Sequence, residues 1–329
     1  MTEEAALWAM AHLATPMAIR VAATLRIADH LAAHARTGAE LAGLTGTNPD
    51  ALDRVLRHLA GKGVLDRDDT GRYALTLVGA SLASDHPSGM RDMLDIDGTV
   101  GRAELAFVRL LDCVRTGEAG YPVQFGTDFW ADLAAHPERS AGFDRRMGAD
   151  IAVRGPDIVA SYDWGALRRV VDVGGGDGSL LIQLLHRFPA LRGTVVDLPD
   201  TADLADRALA AAGLADRATA VGGSFFDPLP RNADAYVLSS VLHNWNDERA
   251  VAILRRCADA AGTDGRVLVI ERIGADGESA GTAMDLRMLV YYGGRERRSA
   301  ELAALADAAG LRVAATHGAG MLSIVELVP

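Results

Sequence analysis

The sequence predicts an α/β fold: a parallel sheet with crossover helices, finished by an antiparallel hairpin and preceded by a mainly helical segment with winged-helix cadence. Three observations carry this. From Arg168 onward, β-branched runs (RVVDV, TVVDL, ATAVGG, AYVLSS, RVLVIE) alternate with Ala-, Leu- and Arg-rich stretches at helical spacing, the pattern of a parallel sheet with its crossovers. The first run opens into Gly174, Gly175, Gly176 and Gly178 before the helix SLLIQLLHRF, as in folds whose backbone passes close beneath a ligand. Residues 37–79 read as helix, turn, helix and two short strands. At 329 residues the chain is long enough for two domains.

Taken in order, residues 5 to about 35 show apolar residues at helical spacing, with Pro16 expected to break one helix from the next. A helix starts near Ala39 and a second after Asn48-Pro49, with Thr37 and Asn48 or Asp50 as N-caps; two strands flank Asp68–Gly71. A winged helix suggests DNA binding, yet Arg36–Gly79 holds six basic residues (Arg36, Arg54, Arg57, Lys62, Arg67, Arg72) against six acidic ones (Glu40, Asp50, Asp53, Asp66, Asp68, Asp69). A DNA reader shows a basic surplus, so this module is expected to pack or dimerise. The run TPMAIRVAATLRIADHL carries more apolar surface than one monomer is expected to cover, and a symmetric partner would bury it. Residues 90 to about 160 read as helical, interrupted at GEAGYPVQFG and followed by Phe129-Trp130. The last two strands, from Leu311 and from Leu322, are joined by a short Gly-containing turn and predict the hairpin. The expected boundaries are 1–98 for the winged-helix-like dimerisation domain, 99–158 for a helical linker contributing to a substrate pocket, and 159–329 for the catalytic domain.

Composition excludes several classes. The net charge of -11 repels nucleic-acid phosphates and anionic membranes alike. Cys113 and Cys257 are the only cysteines; they form no CxxC, which argues against both a disulfide framework and a zinc site and fits a reducing compartment. Glu3 and Glu4 stand where a secretory signal carries basic residues, and no apolar stretch is expected to reach the ~20 residues of a bilayer span. A cytoplasmic protein without membrane, nucleic-acid or metal partners is expected.

The glycine loop also restricts its ligand. The GxxxxGK[ST] lysine of a phosphate loop is absent, the GxGxxG spacing is not met, since Ser179 stands where the last glycine belongs, and Asp177 inside the loop discourages a pyrophosphate. The second strand ends in Asp197, placed to accept hydrogen bonds from ribose hydroxyls. The third ends in GGSFFDP, offering Ser224 and Phe225 to an adenine edge and face, and the fourth in Ser239-Ser240. Carboxyl ends of successive parallel strands converge on one crevice. A phosphate-free adenosine ligand is implied, and S-adenosylmethionine answers that description.

VVDVGGGDG, VVDLP, GSFFDPLP, SSVLHNWNDERAVAILRRC and MDLRMLVYYGGRERRSAEL together resemble the class I S-adenosylmethionine-dependent O-methyltransferases of the plant caffeate type and the bacterial relatives that methylate hydroxyls of polyketide and other aromatic natural products. The resemblance extends to ATPMAIRVAATLRIADHL and the winged segment, which are similar to that family's dimerisation domain. It implies a Rossmann-like methyltransferase domain, a homodimer, and a cofactor site at Asp172, Gly174, Gly176, Asp197, Leu198, Ser224, Phe225 and Ser239. His243 matches the family's catalytic histidine, with Glu271 and Glu296 at the positions of the carboxylates that orient it. Read without the family, Glu296 is an exposed carboxylate beside Arg295 and Arg297. The walls of an aromatic substrate site are expected from Trp130, Phe143, Met147, Asn244, Met284, Asp285, Met288 and Tyr292, methionine being adaptable against flat rings.

Ser224 stands where family members often have Asp, Asn244 where Asp is usual, and Ser239 where plant relatives have Lys; Phe225 remains available for stacking. The resemblance implies phenolic O-methylation, yielding S-adenosylhomocysteine, with His243 as general base; a histidine suits deprotonation of a phenol near neutral pH. Two alternatives stand beside it: an S-adenosylmethionine-binding relative performing hydroxylation or decarboxylation, against which the retained His243, Glu271 and Glu296 argue, and a metabolite-sensing winged-helix regulator, against which the neutral wing and the overall acidity argue.

Overall fold

The computed structural model describes residues 2–274, 276–279 and 281–329. They divide into two compact units, Met1–Leu105 and Ala106–Pro329. The helical stretch expected as a separate linker therefore belongs, from Ala106, to the unit that holds the large sheet.

The first unit begins with α1 (Glu3–Ala11) and α2 (Ala14–Thr24). The break falls at His12-Leu13 and not at Pro16, because Pro16 sits in the first turn of α2, where a missing N–H costs no intrahelical bond. The two helices form an apolar stretch of 22 residues, Glu3–Thr24, with mean hydropathy 1.2. This corrects the expectation that no run approaches a bilayer span, although the break divides it into helices of 9 and 11 residues. There follow α3 (Ile27–Leu31), β1 (Arg36–Thr37), α4 (Gly38–Thr45), α5 (Pro49–Gly61), β2 (Leu65–Arg67), β3 (Arg72–Leu75), α6 (Leu77–Ala80), α7 (Met90–Leu94) and α8 (Thr99–Glu104). Thr37 caps α4 in a reciprocal capping box with Glu40, and Asn48 caps α5. The small sheet has the order β1-β3-β2, the geometry of a wing. Ion pairs Arg54–Asp50, Arg57–Asp53 and Arg72–Glu40 match basic residues of the module to carboxylates.

The inner side of α2 and α3 (Ala18, Ala22, Ala23, Ile27, Ala28, Leu31) is buried against Leu41, Leu52, Leu56, Leu59 and Tyr73 of the same unit. Exposed apolar side chains of this unit lie instead on α1 and the α1–α2 junction (Leu7, Trp8, Met10, Leu13) and on α6 (Leu77, Val78), and not on the run expected to need a partner.

The second unit continues with α9 (Leu110–Thr116), α10 (Gly120–Phe125), α11 (Phe129–Ala135) and α12 (Pro137–Ala160). Then come β4 (Arg169–Val173), α13 (Ser179–Arg187), β5 (Arg192–Asp197), α14 (Pro199–Ala211), β6 (Ala218–Gly222), β7 (Ala235–Ser239), α15 (Asp247–Ala261), β8 (Arg266–Glu271), α16 (Thr282–Tyr292), α17 (Ser299–Ala308), β9 (Arg312–Ala319) and β10 (Leu322–Val328). All five predicted parallel strands and the terminal hairpin are present. The sheet order is β6-β5-β4-β7-β8-β10-β9, with β10 antiparallel to both β8 and β9.

Alternation along the strands builds two cores. Val170, Val195, Val237, Leu268 and Ile324 face α13 and α14, burying Leu181, Leu184, Leu185 and Leu209. Val171, Val196, Leu238, Val269 and Val325 face α15 and α17, burying Ile253, Leu254, Leu302 and Leu305. Strand order reverses between β4 and β7, and the crevice beyond the carboxyl ends of strands at such a reversal is where α/β sheets bind ligands. The glycine loop, Asp197, Ser224-Phe225 and Ser239 all lie at those ends.

Candidate active site

The three glycines after β4 serve different purposes. Gly174, Gly176 and Gly178 all have positive φ (70°, 59° and 79°), the left-handed region that glycine enters without a steric cost. A Cβ on Gly175 would lie 2.6 Å from Cγ of Asp172, so this glycine leaves room for the carboxylate packed beneath the loop. A Cβ on Gly174 would touch Val241 at 3.0 Å, whereas one on Gly176 would meet nothing within 4 Å. Gly176 therefore presents the open side of the loop.

Carboxylates surround this loop. Asp197 accepts hydrogen bonds from the backbone N–H of Gly176 at 2.8 Å and of Leu198 at 2.7 Å, which ties the end of β5 to the loop. A carboxylate offers about four lone-pair sites, so capacity remains for ligand hydroxyls. Asp172 is buried and neither of its oxygens has a hydrogen-bond partner. Burial, then the like charges of Asp197 and Asp177, push its carboxyl up to about 7. Asp144, on α12, is pushed up to about 6 by burial and the same two neighbours. Gly148, one turn further along α12, lets that helix approach: a Cβ there would lie 2.5 Å from Asp177 Oδ2. Charges this poorly compensated favour a cationic ligand. S-adenosylmethionine, with its sulfonium and ammonium groups and no phosphate, fits these residues; a pyrophosphate does not.

After β6, Phe225 packs at 3.5 Å from where a Gly174 Cβ would be and meets Trp245 edge-on, ring centroids 5.9 Å apart. Ser224 Oγ accepts the N–H of Phe226 at 3.2 Å, so this hydroxyl shapes its own turn. Ser239 Oγ is buried without a partner, and Leu198 is exposed.

His243 sits in a short 3-10 turn, Leu242–Asn244, after β7. Its Nδ1 is 2.9 Å from Glu296 Oε1 and 3.5 Å from Glu271 Oε2. An ionised carboxylate can only accept, so Nδ1 carries the proton and Nε2 is the basic nitrogen. Glu296 is buried, its side chain 3% exposed, because it is held on three sides: Ser279 donates to its Oε2 at 3.1 Å, its own N–H donates to Asp285 Oδ1 at 2.8 Å, and His243 takes the remaining oxygen. The reading of Glu296 as an exposed carboxylate does not hold. Glu271 holds the turn more than the ring, its Oε1 accepting the N–H of Leu242 at 3.0 Å and of His243 at 3.3 Å. Burial alone would lower the His243 pKa, but Glu271 and then Glu296 outweigh it and leave it raised. Burial raises the Glu271 carboxyl, opposed by His243.

The turn is clamped from behind. Arg295 N donates to His243 O at 2.9 Å, and buried Arg297 donates to Leu242 O, Trp245 O and Asp247. A Cβ on Gly294 would lie 2.1 Å from His243 O, so only glycine fits there. None of these three was singled out in the sequence; their signal, GGRERR, yielded only Glu296.

Among the expected substrate residues, Trp130, Phe143 and Tyr292 come together. Trp130 stacks on Tyr292 (5.3 Å, 14°) and on Trp245 (6.3 Å, 17°) and meets Phe143 edge-on at 5.7 Å. Phe129 joins the cluster against Phe143 and Tyr292. Met147 lies one turn past Phe143 on α12, and Met284, Asp285 and Met288 lie on α16; Met288 is buried, and Asp285 supports Glu296. Asn244 Nδ2 reaches back to Ser240 O at 3.4 Å. Both cysteines are free and buried, and among the described residues no group of three His, Cys, Asp or Glu is placed to hold a metal.

Fold and site together define an enzyme class, an α/β transferase, with a glycine loop among poorly compensated carboxylates at the strand ends and a carboxylate-oriented histidine in the turn after β7. The chain belongs to the O-methyltransferase family, matching the O-methyltransferase domain over residues 107–312 and the O-methyltransferase dimerisation domain over residues 8–85. It is 54% identical over 97% of its length to 2,7-dihydroxy-5-methyl-1-naphthoate 7-O-methyltransferase of Streptomyces carzinostaticus, covering 96% of that protein. It is 46% identical over 96% of its length to aclacinomycin 10-hydroxylase RdmB of Streptomyces purpurascens, covering 86% of it. Among solved structures, an O-methyltransferase from neocarzinostatin biosynthesis, in complex with S-adenosylmethionine and 2-hydroxy-5-methyl naphthoic acid, superposes with a TM-score of 0.94 at 54% identity, with 98% of each chain covered.

Proposed function

We propose that this chain transfers a methyl group from S-adenosylmethionine to a phenolic hydroxyl of an aromatic, polyketide-type small molecule, with His243 as general base. The observation that carries the reading is the buried His243–Glu296 pair at 2.9 Å, set at the crevice that also holds the glycine loop and Asp197. S-adenosylmethionine supplies a methyl carbon already activated by a sulfonium, so the protein's task is alignment and proton removal. Asp197 accepts the ribose hydroxyls while keeping the loop in place through Gly176. Phe225 covers the adenine, and the Asp144, Asp172, Asp177 set favours the positive charge. His243 Nε2 takes the phenol proton, and Glu271 and Glu296 stabilise the imidazolium that results. Trp130, Phe143, Tyr292 and the neighbouring methionines hold the acceptor ring. The hydroxynaphthoate named for the 54% identical relative suits such walls.

The active species is proposed to be a homodimer formed through the first unit, supported by the dimerisation-domain match and by the uncovered Leu7, Trp8, Met10 and Leu13. The 46% identical hydroxylase favours one second reading, hydroxylation in the same pocket; the oriented base favours methylation, because proton removal from a hydroxyl is what a histidine so placed provides.

Calorimetric titration with S-adenosylhomocysteine tests the cofactor assignment. Wild type is expected to bind in the micromolar range, ~-8 kcal/mol. Asp197→Ala, which removes a charged acceptor and the anchor of the loop, is expected to lose about tenfold to a hundredfold. Absence of binding by the wild type refutes the reading.

A further inference from the structure

The helix that carries Phe129 and Trp130 buries a carboxylate on its inner face. The buried positions of α11 are Phe129, Asp132 and Leu133, one strip at helical spacing. An ionised side chain in such a strip loses its hydration, a loss that only partners can offset. The Asp132 side chain is 3% exposed, and its partners come from both neighbouring helices. Tyr121, in the first turn of α10, donates its hydroxyl to Oδ2 at 2.6 Å. Arg139, in the first turn of α12, donates from Nη1 to both oxygens, at 3.0 and 3.1 Å. His136, between α11 and α12, has Nδ1 at 2.7 Å from the Asp132 carbonyl oxygen, so that nitrogen carries a proton and donates. Three consecutive helices thus meet on one residue.

The same three helices hold the aromatic rings. Tyr121 meets Phe129 edge-on at 5.4 Å, and Phe129 meets Trp130, Phe143 and Tyr292 with ring centroids 4.9–5.6 Å apart. Trp130 in turn stacks on Trp245, two residues beyond His243. A helix of seven residues is too short to hold its own shape in water, so its position is set by its contacts. Phe129 stands three residues before Asp132 on the buried strip. Turning α11 far enough to release the carboxylate from Tyr121 and Arg139 would therefore also turn Phe129 away from its partners.

We propose that Asp132 is a positioning residue for the acceptor: by joining α10, α11 and α12 through Tyr121 and Arg139, it fixes the wall of rings formed by Phe129 and Trp130 that receives the acceptor's aromatic frame. The inference rests on the reading of this crevice as the methyl-transfer site. Asp132 acts through Phe129, so its effect belongs to acceptor binding and not to the cofactor.

The test measures methylation of 7-hydroxy-1-naphthoic acid by wild type, Tyr121→Phe and Asp132→Asn, and by Phe129→Leu with and without Tyr121→Phe. Tyr121→Phe keeps the ring and removes one donor to the carboxylate. It is expected to raise the acceptor KM about tenfold, the scale of one charge-assisted hydrogen bond, with a smaller change in kcat. Asp132→Asn keeps an acceptor for Tyr121 but loses the charge opposite Arg139, and is expected to move KM the same way. Unchanged S-adenosylhomocysteine affinity shows that each variant is folded. In the Phe129→Leu background, Tyr121→Phe is expected to add less than about twofold, because both changes act on one wall. An acceptor KM unchanged in Tyr121→Phe and Asp132→Asn, or a full effect that persists without Phe129, overturns the assignment while leaving the methyltransferase reading intact. A wild type that binds the acid beside S-adenosylhomocysteine but does not methylate it counts against that reading alone, and calorimetric affinities for the acid then decide Asp132 by the same comparisons. A wild type that does not bind the acid counts against both.

Discussion

The basicity of His243, the proposed general base, is set by its neighbours. Desolvation of the buried ring favours the neutral form, and the two glutamates more than reverse it. Since the neutral ring is the active form, kcat/KM is expected to rise with pH through an acid limb whose midpoint lies above the ordinary histidine value of ~6.5. Glu296→Gln retains an acceptor for Nδ1–H but removes a charge that raises the pKa. Its acid limb is expected to move to lower pH and its plateau rate to fall, as a weaker base transfers the proton less well. A limb that stays in place, or moves up, would show that Glu296 does not tune the base. The family's motifs pointed to His243 and both glutamates, and the structure brings the three side chains together. Their geometry was not legible in the sequence: Glu296 is flanked in the chain by two arginines, and its burial arises from Ser279, Asp285 and His243, from three separate segments.

At the scale of elements, the strands were legible because the sheet is buried on both faces. Each strand then reads as a short β-branched run, and the crossover helices supply the opposing apolar stripe. The hairpin was equally plain from its turn. What periodicity does not reveal is where β10 inserts, since its placement between β8 and β9 depends on long-range pairing. The break between α1 and α2 was misplaced because proline is a breaker only in a helix interior, and Pro16 lies in a first turn. The turn carrying His243 is positioned by Gly294, Arg295 and Arg297, which meet it across more than fifty residues of chain. No local pattern could have shown that contact. The glycine loop was recognisable, but its division of labour was not: Gly175 makes room for Asp172, and Gly176 lies on the open side of the loop.

For the whole molecule, the uncovered side chains of α1 are the feature a monomer explains least well. Leu7, Trp8, Met10 and Leu13 are 64–79% exposed, a concentration of large apolar side chains of the kind found at interfaces. Sedimentation is expected to show a dimer at micromolar concentration and a shift toward monomer in Trp8→Glu; a wild-type monomer would contradict the proposed assembly. The account as a whole stands on methyl transfer with His243 as base, and one measurement addresses it most directly: the mass of a hydroxynaphthoate acceptor after incubation with S-adenosylmethionine bearing a deuterated methyl group, for wild type and His243→Ala. The account predicts a product heavier by one labelled methyl with wild type, formed about 10²- to 10⁴-fold more slowly by the variant. A product that gains oxygen without the label, or equal labelling by His243→Ala, would contradict it.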